Sequence, residues 1–266
     1  MTKPRGHPDA IVRPKAGRRV FDVERLAPPP SLAEFVDYNW LVRWDVQNPY
    51  RQQVVPQPRV HVAAEEGRLL VHGVTRERFY RTLTGTGHAL GAAFHAGGFH
   101  PLLKRSVGTI SGVVKTGQDV LGYDDRPTAA RILATSDVME MVDAFEAYLL
   151  QTDPEPDPVS QEVTGLVAAA ERRNDIVRAE QLADYAGMSL RTLQRLFTEY
   201  VGIGPKWVIQ RFRILDAAAA AHSGQSTRWS GLAQELGFSD QAHLTRVFAE
   251  VVGTPPAAYQ RDPGTS

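Results

Sequence analysis

Arg191, Gln194, Arg195 and Thr198 stand at positions i, i+3, i+4 and i+7, which is one face of a helix, and none of the four is acidic. Further along, Ala242, Thr245, Arg246 and Ala249 repeat that spacing, with Gln241 and His243 beside them. Arginine pairs bidentately with guanine and glutamine with adenine, while alanine and threonine methyls touch the thymine methyl, so these residue types suit base reading in a major groove. His243 suits a phosphate contact equally well. An ordinary solvated helix face uses arginine and glutamine too, so one such face decides little. Two faces in matched surroundings carry far more weight.

The surroundings do match. Leu182-Ala183-Asp184-Tyr185-Ala186-Gly187-Met188-Ser189 answers Leu232-Ala233-Gln234-Glu235-Leu236-Gly237-Phe238-Ser239, and after a one-residue slip Leu193, Arg195, Phe197, Glu199, Gly202 and Pro205 answer Leu244, Arg246, Phe248, Glu250, Gly253 and Pro256. Two copies are too few for a solenoid and read as a duplicated module. Each copy offers a small residue for close packing (Ala183, Ala233), a glycine for the left-handed conformation that ends a helix (Gly187, Gly237), and a serine to cap the next helix (Ser189, Ser239), with Asp240 adding negative charge at the positive helix end. That is the plan of a helix-turn-helix. Leu193, Leu196, Phe197 and Tyr200 form the apolar stripe of the first second helix, and Leu244, Val247, Phe248 and Val251 that of its counterpart. The alanine-rich stretch Lys206–His222 between the copies has strong helix propensity and reads as a linker helix of about 25 Å.

On these residues the segment from about Asp175 to Arg261 resembles the double helix-turn-helix domain of AraC/XylS-type transcriptional regulators. The run Glu235-Leu236-Gly237-Phe238-Ser239-Asp240-Gln241-Ala242-His243-Leu244-Thr245-Arg246-Val247-Phe248, followed by Gly253-Thr254-Pro255-Pro256 and Tyr259, is very close to that family's signature, as is Leu193-Gln194-Arg195-Leu196-Phe197 with Gly202 and Pro205. The resemblance implies a bacterial, cytoplasmic transcription factor with both recognition helices in the major groove of double-stranded DNA. By position it points to Arg191, Gln194 and Arg195 in the first helix and to Gln241, Ala242, His243 and Arg246 in the second. Ala242 stands where a longer polar residue is usual, which lowers the base specificity expected of the second helix. Gly91–Phe99 and Val120-Leu121-Gly122 resemble, more weakly, a β-rich N-terminal domain of some members, which implies a ligand sensor, a dimerisation surface or both. RNA polymerase, a small-molecule effector and a second copy of the chain are the further partners this implies; no cofactor is expected.

The rest of the chain supplies the frame. Residues 1–25 read as a basic arm carrying Lys3, Arg5, Arg13, Lys15, Arg18 and Arg19. Residues 26–152 read as a β-rich regulatory domain, with strand-like stretches Asn39–Val46, Gln53–Val55, Arg59–Ala63, Leu69–Val74 and Ala89–Phe94. A helix from Asp137 to Leu150 ends it, with Val138, Val142, Phe145 and Leu149 on one face and Asp137 as its cap. Prolines 154, 156 and 158 mark residues 153–160 as a semi-rigid linker, and residues 161–262 as the helical domain. The fold class is therefore α+β with two domains, a β-rich one in front of an all-α one.

Composition narrows the alternatives. Cysteine is absent, which removes disulfides, zinc ribbons and thiol catalysis. Thirty basic residues against thirty acidic ones give no net charge, so any basic face must be local. No apolar run is long enough for a membrane span, and none lies behind the basic N-terminus as in a secretory signal. Histidines 61, 72, 88, 95 and 100 lack tight metal-ligand spacing and read as surface or core-satisfied residues; the competing reading is a metal- or ligand-binding β-barrel sensor or enzyme tethered to DNA. Gly85–Gly91 lacks phosphate-loop spacing and reads as a turn, and no catalytic motif appears.

Overall fold

The computed structural model of the protein describes residues 20–222 and 228–261, with the backbone alone of His222. Most of the basic arm, with the six cationic residues named above, lies outside the described residues. Residues 21–25, assigned to that arm by composition, instead belong to the edge strand β1 (Phe21–Leu26), which pairs with the next strand from Phe21↔Trp44 to Leu26↔Asn39. Phe21 is buried with Val46 and Leu83, and that burial fixes the strand.

The front part is one antiparallel sheet in the order β1-β2-β5-β3-β4-β6. Its other strands are β2 (Val36–Val54), β3 (His61–Glu65), β4 (Arg68–His72), β5 (Phe79–Phe94) and β6 (Val114–Thr116). The expected segments Asn39–Val46 and Gln53–Val55 are the two ends of one long strand, interrupted by a register shift between Val46 and Tyr50. Gly85, opposite Val46, has φ +57, a conformation open to glycine. Gly85–Gly91 is thus part of β5 and not a turn. The reason is tertiary: the indoles of Trp44 and Trp40, one strand over, occupy the space where a Cβ on Gly87 or Gly91 would stand.

The sheet alternates as its period of two requires. Leu41, Val62, Leu69, Val71, Leu90, Ala92 and Phe94 face the main core. Four short or medium helices complete the front part: α1 (His100–Leu103), α2 (Gly117–Leu121), α3 (Arg126–Ala134) and α4 (Val138–Leu150). In α4 the Asp137 carboxylate accepts hydrogen bonds from the Met139 and Glu140 amides, while Val142, Phe145 and Leu149 are buried, as the sequence spacing predicts. Buried Asp125 ties α2 and α3 to the sheet by accepting from the Arg68 guanidinium and from the amides of Leu69 and Gln118. Burial opposes its ionisation, but these donors outweigh that and hold its carboxyl below the usual range.

Only residues 153–157 of the proline-rich stretch are irregular. Pro158 opens helix α5 (Pro158–Arg172), with Asp157 accepting from the Val159 amide at 2.9 Å; proline is favoured at this first helical position, where its missing N–H costs nothing. Then follow α6 (Ala179–Tyr185), α7 (Leu190–Leu196) running into a π-helical turn at Phe197–Val201, α8 (Pro205–His222), α9 (Trp229–Glu235), α10 (Gln241–Val252) and α11 (Pro256–Arg261). The linker helix α8 is not an exposed spacer. Val208, Ile209, Phe212, Ile214, Leu215, Ala217, Ala218 and Ala221 are all buried, so it is the axis on which both helix-turn-helix units pack. A single apolar cluster runs from Leu32 in the front part to Tyr259 in α11.

Candidate nucleic-acid interface

The two turns are built alike at the level of hydrogen bonds. In the first, the Met188 amide donates to the Ala183 carbonyl at 3.1 Å and Gly187 has φ +63; in the second, the Phe238 amide donates to the Ala233 carbonyl at 2.9 Å and Gly237 has φ +77. Ala183 and Ala233 are buried at the close approach. Ser189 caps α7, its hydroxyl accepting from the Thr192 amide at 3.1 Å. In the second unit the cap is Asp240 and not Ser239: the carboxylate accepts from the His243 amide at 2.7 Å, which also holds its pKa below the usual range. Ser239 lies one residue outside and hydrogen-bonds the His243 ring at 3.1 Å.

The caps and stripes orient the outer faces. Leu193 and Phe197, and on the second helix Leu244, Val247 and Phe248, are buried. Arg191, Gln194, Arg195 and Thr198 of the first helix, and Gln241, Ala242 and Arg246 of the second, are exposed. Among the described residues, the side chains of Arg191, Gln194, Arg195, Gln241 and Arg246 have no hydrogen-bond or ion-pair partner. Three of the sequence-selected residues stand apart from that open set. Thr198 spends its hydroxyl on the Gln194 carbonyl at 2.9 Å and sits against Gly108 of the front part. Thr245 is half-buried. His243 is half-buried too, with its ring edge-on to Phe238 at 5.3 Å.

Sequence reasoning missed the residues that hold this surface in place. Arg213 on α8, almost wholly buried, donates to the carbonyls of Ala170, Arg173 and Ile176 and pairs with Asp216. It satisfies the carbonyl end of α5 and the segment leading into the first unit. Buried Arg211 stacks over Trp207 at 4.6 Å, and burial lowers its pKa to about 10. Nothing in an alanine-rich helix distinguishes a buried arginine from a solvated one.

A second missed set joins the front part to the second helix of each unit. The His100 ring stacks on Tyr200 at 4.1 Å and its Nε2 lies 3.3 Å from Glu199, while Ser111 donates to the Gly202 carbonyl. At the end of the second helix Gln53 donates to the Val251 carbonyl at 3.2 Å, and the Arg78 guanidinium lies beside Gly253. The other histidines divide. His88 and His95 hydrogen-bond the carbonyls of Ile132 and Ala33. His61 and His72, paired across β3 and β4, line a cavity; burial lowers His61 to about 3, with Arg59 and His72 adding to the shift, and lowers His72 to about 4. No group of three His, Cys, Asp or Glu side chains among the described residues is arranged to hold a metal ion. No described helix is long and apolar enough to cross a membrane.

Two matched helix-turn-helix units on one shared helix, each with an open polar face, define a class of DNA-reading protein. Residues 182–262 match a family model described as a helix-turn-helix domain, and residues 24–116 match one described as a domain of unknown function (DUF6597). The chain is 37% identical over 82 residues to a Streptomyces lividans protein named as an AraC-like transcription regulator, covering 31% of this chain and 27% of that one. It is 31% identical over 94 residues to the probable transcription factor PqrA of Proteus vulgaris, covering 35% of this chain and 75% of that one. With the transcriptional activator NphR of a Rhodococcus species the match is 25% identical over 217 residues, 80% of this chain and 57% of that one. The chain thus spans about a quarter of the Streptomyces relative and just over half of the Rhodococcus one. The protein belongs to the AraC-type family of helix-turn-helix transcriptional regulators.

Proposed function

We propose that the protein is a sequence-specific transcription factor that reads two adjacent major-groove segments of double-stranded DNA, one with each helix-turn-helix unit. The observation that carries this reading is the pair of equivalent outer faces, on which Arg191, Gln194 and Arg195, and then Gln241 and Arg246, are exposed without partners. Guanidinium and amide groups left open on an outer helix face are the groups that pair bidentately with guanine and adenine. Ala242 supplies a methyl contact to thymine. His243, held by Ser239, serves a backbone phosphate, and Thr198 and Thr245 are supporting contacts. Helix α8, at about 27 Å for its eighteen residues, joins the units with a reach suited to the ~34 Å between successive major-groove faces.

Residues 21–152 act as the regulatory domain, with 153–157 as the joint. This is supported by the contacts that the front part makes with the trailing ends of both recognition helices, at Glu199–Gly202 and at Val251–Gly253. An effector held by the front domain would thereby shift the relative setting of the two readers. A second copy of the chain and RNA polymerase are the further partners this role calls for.

Selection of bound duplexes from a random pool by the purified full-length protein tests the reading. Enrichment of a motif with two blocks about 10 bp apart is expected. A single block would remove the second unit from base reading. Absence of any enriched motif, at low salt and with a range of metabolite extracts added, would overturn DNA reading altogether.

A further inference from the structure

On the face of the front sheet turned away from Leu41 and Leu90 lies a half-open cavity of about 640 Å³, within the size range of small-molecule sites. One wall is aromatic and unusually built. Trp40 and Trp44, four residues apart on β2, lie over Gly91 and Gly87, four residues apart on β5, so that each indole is seated on backbone and also lines the cavity. Trp44 is further fixed by donating Nε1 to the Thr84 carbonyl at 3.2 Å. Flat π faces anchored in this way favour a flat ring stacked against them.

The polar corner of the cavity restricts the ligand's charge. Two of its half-buried cations are already paired: Arg81 with Glu65, and Arg59 with Asp37 outside the lining. Beside these pairs a carboxylate or ammonium would lose its water against charges already engaged with each other, which is costly. Open hydrogen-bonding capacity beside these pairs includes that of imidazoles. His72 Nε2 is buried without a hydrogen-bond partner, its closest carboxylate oxygen being 3.6 Å away on Glu65, and its ring is held edge-on to Phe79 at 5.5 Å. His61 stands opposite it across the strand pair. Burial keeps both rings neutral, so each offers one donor and one acceptor.

We propose that this cavity binds an uncharged, flat aromatic molecule that stacks on Trp40 or Trp44 and hydrogen-bonds through one hydroxyl or carbonyl group to His72 and His61. The proposal rests on reading the front domain as effector-controlled, and it names the ligand class of that control.

Calorimetric titration of the full-length protein with 2-naphthol, uncharged at neutral pH, is the test. Saturable binding of one molecule per chain is expected, at least tenfold tighter than 2-naphthoate (same ring, charged) and than decahydro-2-naphthol (same hydroxyl, no flat ring). The variant His72→Phe, which keeps a ring against Phe79, is expected to erase the preference for 2-naphthol over naphthalene. Trp40→Phe, which keeps a smaller ring, is expected to weaken binding without unfolding the protein. Equal or tighter binding of the naphthoate or of the saturated alcohol, or no binding of 2-naphthol at millimolar concentration, overturns the proposed ligand class. The selected DNA provides the separate control on the regulatory reading. Binding of 2-naphthol with no change in DNA affinity keeps the ligand class and overturns effector control, whereas a change of fivefold or more supports both.

Discussion

At the scale of single residues, exposure and partnership separate arginines that composition treats alike. Arg195 is exposed and unpartnered, while Arg213 is buried against three carbonyls and Asp216. Arg195→Ala is expected to lower affinity for the selected duplex by about 1–3 kcal/mol and to relax preference at one base position, read by repeating the selection with the variant. A loss that is uniform over all sequences would make Arg195 a phosphate contact instead. The two cavity histidines give a second residue-scale expectation. Their folded pKa values, about 3 and about 4, lie below the ordinary 6.5, so the folded state binds fewer protons than the unfolded chain. Their contribution is fully present above pH 6.5 and is lost progressively as pH falls toward 4, by at most about 1.4 kcal/mol per pH unit for each ring. Melting temperature followed from pH 7 to pH 4 should therefore fall, and more shallowly in a His61→Gln, His72→Gln double variant; equal slopes would show that the rings do not govern the acid limb.

At the scale of elements, the two turns have the same backbone but different neighbours. Gly187 and Gly237 both have positive φ, so an alanine at either is strained by roughly 1–2 kcal/mol. A Cβ on Gly187 meets open space, whereas one on Gly237 would stand 2.6 Å from Cβ of Val177, at the entry to the first unit. Gly237→Ala is therefore expected to destabilise the protein clearly more than Gly187→Ala, measured by denaturant midpoint. Equal losses would mean that the two units do not press on each other there. The caps tell a related story. Ser239 has the residue type and position of a cap, yet Asp240 takes that role, because a carboxylate one residue later reaches the His243 amide at 2.7 Å.

At the scale of the whole molecule, the front domain and the recognition helices share one core and a seam of polar contacts. Gln53 and Arg78 belong both to that seam and to the wall of the cavity or the strand end beside it: Arg78 lines the cavity, and Gln53 lies between Gln52 and Val54, which also line it. They thus connect the cavity wall to the end of the second unit's outer helix. The double variant Gln53→Ala, Arg78→Ala is expected to retain binding to a single-block duplex while losing discrimination between correct and altered spacing of two blocks, measured by gel shift at fixed salt. Unchanged spacing discrimination would remove these residues from the coupling. Affinity in every case should fall with added salt, since phosphate contacts release counterions.

The sequence by itself determined the helical third of this protein and the residue types on the outer faces of its two helix-turn-helix units. Both follow from local rules: periodicity, a glycine at each turn, a polar cap, and a repeat that states the same plan twice. Asp137–Leu150 and five strand segments were legible for the same reason, since alternation and helical spacing are written within a few consecutive residues. Tertiary structure alone decided the rest. It set Gly85–Gly91 within a strand, because only the register of β2 on β5 brings Trp44 and Trp40 over Gly87 and Gly91. Residues 21–25 became a strand because Phe21 finds Val46 and Leu83. Pro158–Ser160 joined helix α5, where the Ser160 hydroxyl reaches the Gly97 carbonyl 63 positions away. Arg213 was turned inward, and His61 was set opposite His72. Each of these outcomes depends on a partner distant in the chain, and contacts between distant partners leave no local period to read.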